Sequence, residues 1–108
     1  MHLATEVFGD VVVVHAPDEL NEEHAVSFSQ FLTSQDRLKV VVDLNDVEAL
    51  DSAGLMALLD AQDACRAAKG DLKLIASHSI NRKILDISRL DEQLEVYESV
   101  IDAVKSFV

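Results

Sequence analysis

Three short runs of aliphatic residues constrain the fold of this chain more than any other feature. Val11–Val14 and Val40–Val42 consist of valine alone, and Leu72–Ile75 is interrupted only by Lys73. A run without alternation between apolar and polar residues is typical of a strand that is covered on both faces. We therefore predict a sheet whose central strands are packed between layers, with helices supplying the cover.

The segments between these runs have helical periodicity. After Pro17, a stripe of apolar residues recurs at spacings of three and four, widened by neighbours, with Asn21 as a candidate N-cap: Ala25, Val26, Phe28, Phe31 and Leu32. The second helical segment ends at Lys69-Gly70, where we expect Gly70 to adopt the left-handed conformation. The predicted helices are Glu22–Thr33, Ser52–Ala68, Asn81–Ser88 and Ser99–Val108.

The predicted strands are Ala4–Phe8, Val11–Ala16, Lys39–Leu44, Leu72–Ala76 and a short extended segment at Leu94–Tyr97. Gly9-Asp10 is a two-residue connection typical of a hairpin. A hairpin followed by two βα crossovers predicts an α/β fold with a mixed sheet of four to five strands and about four helices. We expect a single domain over residues 1–108.

Charge and composition exclude several classes of function. The net charge is −11, and residues 1–65 contain 13 acidic and two basic side chains. Direct binding to nucleic acid is therefore unfavourable. We expect no leader segment, no membrane insertion and a cytoplasmic location, since no apolar run is long enough and Cys65 has no disulfide partner. Residues 66–89 contain six basic and two acidic side chains. This stretch can be either an ordinary solvated face or a basic surface that docks an acidic partner.

Residues suited to catalysis form no convincing set, and we expect neither an enzyme nor a cofactor nor a metal. The acidic group Asp43, Asp46, Glu48 and Asp51 could hold Mg²⁺, but these residues also suit turns. A triad containing Ser52 and His78 is imaginable, although no Gly-x-Ser-x-Gly turn surrounds the serine. Cys65 fits a small core residue on a helix face.

Ser52 is the candidate functional residue that the local chemistry leaves open between two roles. It follows a strand and an acidic loop and stands at the predicted start of a helix. A serine there can cap the helix, yet Asp51 can do the same. Gly54 disfavours the helix, which indicates either a close approach of its backbone to another group or a loop that needs bare amides. The loops Pro17–Asn21, Asn45–Asp51 and Ser77–Ile80 follow parallel strands and should converge at one edge of the sheet.

The strand and loop Val40–Val47, the turn Asp51-Ser52-Ala53-Gly54-Leu55 and the strand Leu72–Ile75 resemble the STAS domain, and within it the bacterial anti-sigma factor antagonists. The C-terminal pattern of these antagonists is also similar to that of three segments here, namely Ile87–Glu92, Val96-Tyr97 and Ala103-Val104. The resemblance spans essentially the whole chain. It implies that Ser52 is phosphorylated by an anti-sigma factor that is a serine kinase of the histidine-kinase-like ATPase type. It also implies reset by a metal-dependent serine phosphatase. The unphosphorylated form would bind the anti-sigma factor and free the sigma factor.

The resemblance further implies which residues contact the partner. These are Asp18, Leu20, Asn21, Asp46, Asp51, Ala53, Gly54 and Leu55. Two departures from the family pattern are Ala53, which leaves Ser52 as the only hydroxyl in the turn, and Pro17-Asp18-Glu19-Leu20, where the family usually has glycine. The alternatives are a non-catalytic STAS subunit of a lipid or anion transporter or of a stress-signalling assembly, and a small nucleotide-binding domain.

Overall fold

The structure is a computed structural model that describes residues 1–35 and 39–107. The elements in chain order are β1 (Thr5–Phe8), β2 (Val11–His15), β3 (Glu19–Leu20), α1 (Glu22–Thr33), β4 (Lys39–Asp43), β5 (Ala49–Leu50), α2 (Ser52–Ala67), β6 (Asp71–Ile75), α3 (Ser79–Ile87), β7 (Val96–Tyr97) and α4 (Val100–Lys105). A 3-10 turn over Leu90–Glu92 precedes β7. The predicted α/β class and mixed sheet are confirmed.

The main sheet has five strands in the order β1-β2-β4-β6-β7. β1 pairs with β2 antiparallel through the Gly9-Asp10 hairpin, and the other neighbours are parallel. Alternate residues of the central strands point to opposite faces. Val12, Val14, Val40 and Val42 belong to the larger core cluster, which also contains buried residues of α1 and α2, namely Phe28, Leu32, Leu58, Ala61 and Cys65. Val11, Val13 and Val41 pack with Ala103 of α4. The valine runs are therefore covered on both faces, as predicted.

The end of α2 differs from the sequence-based expectation. Lys69, not Gly70, adopts the left-handed conformation, with φ of 69°. The Gly70 amide donates to the Cys65 carbonyl oxygen at 2.7 Å, and the Lys69 amide donates to the Arg66 carbonyl oxygen at 3.0 Å. This pair of bonds is the Schellman pattern, in which the left-handed residue is the one before Gly70.

Other boundaries shift by one to three residues. α3 begins at Ser79 rather than Asn81, and α4 covers Val100–Lys105 within the predicted Ser99–Val108. Val108 lies outside the described residues. The short strands β3 and β5 were not predicted, because two residues carry no periodic signal. They pair in parallel as a separate two-stranded sheet, which converts parts of two predicted loops into regular structure.

The basic stretch 66–89 does not present all of its charges as one free face. Lys73 is buried under α4, where its Nζ lies 2.9 Å from Glu95 Oε2 and 2.9 Å from Ser106 Oγ. The Lys73 ammonium also lies 4.4 Å from the centre of the Phe107 ring. Arg66 Nε pairs with Asp71 Oδ1 at 3.0 Å. Lys73 therefore holds α4 against the sheet, and Arg66 ties the end of α2 to the start of β6.

Candidate functional site at the start of α2

The carboxyl ends of the parallel strands bring the three predicted loops together. The Asp18 carbonyl oxygen accepts hydrogen bonds from the amides of Glu48 at 2.7 Å and Ala49 at 3.1 Å. Asn45 Oδ1 accepts from the amide of Ser77 at 2.8 Å and from its hydroxyl at 2.9 Å. The predicted convergence at one edge of the sheet is confirmed, and the loops are tied to one another by hydrogen bonds.

A buried asparagine fastens α3 to this edge. Asn81 Nδ2 donates to the carbonyl oxygens of Leu44 at 2.9 Å and Val47 at 3.0 Å. The side chain is 4% exposed, so these bonds satisfy backbone groups that water does not reach. The sequence analysis missed this role. The available signal was a polar residue placed among the apolar positions of a helix directly after a strand.

Asp51, not Ser52, caps α2. The Asp51 backbone is extended, and its Oδ1 accepts from the Gly54 amide at 3.0 Å. Its second oxygen, Oδ2, accepts from the amide of Glu22 at 3.1 Å, which is the first amide of α1. One carboxylate therefore satisfies an unpaired amide at the start of each of two helices.

Ser52 is the first residue of α2 and is exposed. Within the described part of the chain, no group is hydrogen-bonded to its hydroxyl. Of the two roles that the sequence left open for Ser52, the structure gives the cap to the neighbouring residue Asp51. The Ser52 hydroxyl is presented to solvent at the positive end of the helix dipole.

Gly54 is required by packing. A β-carbon at this position would collide with the carbonyl oxygen of Leu20 and lie 2.9 Å from Leu20 Cγ. Gly54 itself is buried, and Leu20 is fully buried in the core. The close approach predicted for Gly54 is confirmed, and its counterpart is the backbone of β3.

The residues predicted to contact a partner have different exposures. Asp18, Asp46 and Asp51 are exposed, Asn21, Ala53 and Leu55 are partly exposed, and Leu20 and Gly54 are buried. The two buried residues shape the backbone of the site rather than its surface. Asn21 occupies the N-cap position of α1, but its side chain makes no cap bond, because Oδ1 instead meets His24 Nδ1 at 3.1 Å.

A shallow groove of about 360 Å³ lies between α1 and α2 and reaches Ala53, the residue after Ser52. Ala53 and Ala57 line its α2 side, and Ala25 lines its α1 side. Two apolar side chains at this groove are largely in solvent, namely Val26 at 69% exposure and Met56 at 54%. The sequence placed Val26 in the apolar stripe of α1, so its exposure departs from that pattern, and Met56 was not singled out. Exposed apolar residues on neighbouring helices suit a protein contact.

Asp43, an acidic residue at the end of β4 near the site, makes two local contacts. Asp43 Oδ1 accepts from the Asn45 amide at 2.9 Å, and Asp43 Oδ2 lies 3.1 Å from His15 Nδ1.

Within residues 1–35 and 39–107, no group of three or more candidate ligands is placed to hold a metal ion. In the same part of the chain, no helix is long and apolar enough to cross a bilayer.

His15 forms a titratable link between three strands. Its Nε2 lies 2.7 Å from Glu6 Oε1 on β1, and its Nδ1 faces Asp43 at the end of β4. The hydrogen bond to Glu6 raises the pKa of His15 above its usual 6.5, and Asp43 adds to this effect while burial opposes it. The charged imidazole is therefore favoured in the folded protein.

We expect this link to make stability depend on pH. Because the folded-state pKa is raised, the contribution of His15 is complete below pH 6.5 and is lost as the pH rises through the folded value. Urea unfolding of the wild-type chain should show a lower free energy of unfolding at about pH 8 than at about pH 6. His15→Gln should remove most of this difference, and an unchanged pH dependence in that variant would contradict the assignment.

Comparison with known proteins assigns the chain to a family. A family model described as the STAS domain matches residues 2–103. The chain belongs to the STAS-domain family. A protein of Thermotoga neapolitana that carries the provisional name anti-sigma factor antagonist is 24% identical over 104 residues, covering 93% of this chain and 92% of its own length.

Solved structures of STAS domains share the fold. An anti-sigma factor antagonist from Mycobacterium paratuberculosis superposes with a TM-score of 0.83 at 23% identity, covering 97% of this chain and 92% of its own. The anti-sigma factor antagonist SpoIIAA in its unphosphorylated form gives a TM-score of 0.71 at 14% identity, covering 97% of this chain and 96% of its own. The STAS fold that the family resemblance implied is thus confirmed.

Proposed function

We propose that this STAS domain is an anti-sigma factor antagonist controlled by phosphorylation of Ser52. It binds an anti-sigma factor that is a serine kinase, the sigma factor is released, and phosphorylation ends the complex. The observation that carries the proposal is the exposed Ser52 hydroxyl, which starts α2 while Asp51 makes the cap. The names of the relatives, one of them solved in an unphosphorylated form, support the same class of function.

The acidic residues before Ser52 explain how a phosphate on Ser52 would weaken binding of the partner. Asp46, Glu48 and Asp51 are exposed on the loop and turn before α2. A phosphate adds about −1.5 to −2 charges. In a partner interface this charge would have to lose water beside like charges, which costs several kcal/mol. The unphosphorylated surface, by contrast, can meet a partner through the groove between α1 and α2.

In this proposal the chain acts by binding and catalyses nothing itself. The anti-sigma kinase of the histidine-kinase-like ATPase type binds ATP and transfers the γ-phosphate of ATP to Ser52. A metal-dependent serine phosphatase removes the phosphate and restores binding. The cycle takes place in the cytoplasm, with residues 1–108 acting as a single domain.

Mass spectrometry after incubation with a purified kinase of this type and ATP tests the proposal. We expect one phosphate on the peptide that contains Ser52, and none in the Ser52→Ala variant. Because Ser52 is not the cap, that variant should unfold within about 0.5 kcal/mol of the wild type. Isolation of the chain with a transport protein, with Ser52 unmodified in cells, would instead favour a scaffold role and overturn the proposal.

A further inference from the structure

One carboxylate occupies a position between the proposed phosphoacceptor and the start of α1. Asp51 Oδ1 holds the Gly54 amide at 3.0 Å, while Asp51 Oδ2 holds the Glu22 amide at 3.1 Å. Glu22 is 29 residues away in the sequence. The side chain is therefore fixed from two directions, although it lies at the surface.

This arrangement decides the conformation of Ser52. A helix that begins with Asp-Ser can use either residue as its N-cap, because both side chains accept well from helix amides. Asp51 has the extended backbone of a cap, with φ of −110° and ψ of −178°, and its carbonyl oxygen accepts from the Leu55 amide at 3.0 Å. Ser52 is thereby held in the helix, and its hydroxyl oxygen accepts no hydrogen bond from the described residues.

We propose that Asp51 is a positioning residue that keeps the Ser52 hydroxyl free to accept a phosphoryl group. This inference rests on the proposed phosphorylation of Ser52. In the transfer, a bond forms between Ser52 Oγ and the γ-phosphorus of ATP, and the bond from that phosphorus to the bridging oxygen breaks. ADP leaves, and the hydroxyl proton passes to a base of the kinase. The attacking lone pair must not be engaged with a helix amide.

Loss of the Asp51 side chain should shift the cap by one residue. In Asp51→Ala the nearest cap-competent side chain is Ser52, whose oxygen would then accept from an amide of the first turn. Asp51→Asn, in contrast, keeps an oxygen for the Gly54 amide. Its amide nitrogen cannot accept from Glu22, so this variant removes the charge and the link to α1 while the cap of α2 remains.

The test measures steady-state phosphorylation of each variant by the kinase that modifies the wild-type chain. We expect kcat of Asp51→Ala to fall at least about tenfold, since misplaced reacting groups cost that much or more. Asp51→Asn should retain kcat within about threefold, because its cap of α2 is intact. KM should change less than kcat in Asp51→Ala.

Ser99→Ala is the matched control. Ser99 caps α4 by accepting from the Asp102 amide at 3.2 Å. Removing the Ser99 hydroxyl therefore removes the cap of a different helix and leaves the start of α2 unchanged. It should lower the free energy of unfolding by a similar amount, about 1 kcal/mol, and leave phosphorylation unchanged.

Three results separate the possible failures. An unchanged kcat in folded Asp51→Ala would overturn the positioning role. A fall in kcat in Asp51→Asn of about tenfold or more would also overturn it, because the charge or the link to α1, rather than the cap, would then matter. This second result is decisive even if Asp51→Ala does not fold. If no such kinase modifies Ser52 of the wild-type chain, the proposed function fails instead.

Discussion

Ser52→Asp is expected to weaken binding of the anti-sigma factor by about 100-fold, since like charges in an interface cost several kcal/mol. The exposed position at the start of α2 lets the new carboxylate stand beside Asp51 and near the acidic loop residues Asp46 and Glu48. Titration calorimetry with the purified partner would measure the change in Kd. Ser52→Ala should bind within about threefold of the wild type, since it removes no cap.

Ser52→Asn separates charge from size in this experiment. It has nearly the same shape as aspartate, and we expect most of the wild-type affinity to remain. The loss in Ser52→Asp should also shrink as salt increases, because exposed charges are screened. Equal affinities for the aspartate and asparagine variants would show that the surface does not sense charge, and the switch would be wrong.

Gly54→Ala is expected to lower the free energy of unfolding by roughly 3 kcal/mol, in the range of overpacked cores. In an open helix the same change would stabilise by about 1 kcal/mol, because alanine is the better helix former. Here the new methyl group would strike the Leu20 carbonyl oxygen, which is held in the small sheet with β5. The collision outweighs the gain in helix propensity.

Gly9→Ala is the control for glycine replacement without crowding. Gly9 has φ of 63° in the hairpin, and a β-carbon there would meet nothing within 4 Å. Its cost should come from the left-handed backbone alone, about 1 to 2 kcal/mol. Chemical denaturation followed by circular dichroism would measure both variants. A Gly54→Ala chain as stable as the wild type would contradict the packing role of Gly54.

Sequence patterns predicted the framework well where the signal was local and repeated. The valine runs predicted strands covered on both faces, and α1 has the predicted bounds Glu22–Thr33. The Gly9-Asp10 connection predicted the hairpin. The convergence of three loops followed from the parallel order of the strands.

The details of the site depend on residues that are distant in the sequence. Asp51 was one of two candidate caps, and its bond to the Glu22 amide left no trace in the local pattern. Asn81 reaches the carbonyl oxygens of residues 44 and 47, more than 30 positions earlier. Pairs of this kind have no period, so a sequence window cannot contain both partners.

The site around Ser52 shows which features the sequence determines and which features depend on the tertiary structure. The sequence by itself determined the α/β class, the mixed sheet and the helix start at Ser52, because these follow from local periodicity and turn chemistry, and its resemblance to a known family implied the STAS fold. Only the tertiary structure decided that Asp51 is the cap, that Gly54 meets Leu20 and that no residue among 1–35 and 39–107 is hydrogen-bonded to the Ser52 hydroxyl. The physical reason is that the bond between Asp51 and Glu22 and the contact between Gly54 and Leu20 join residues far apart in the sequence, which become neighbours only when the chain has folded.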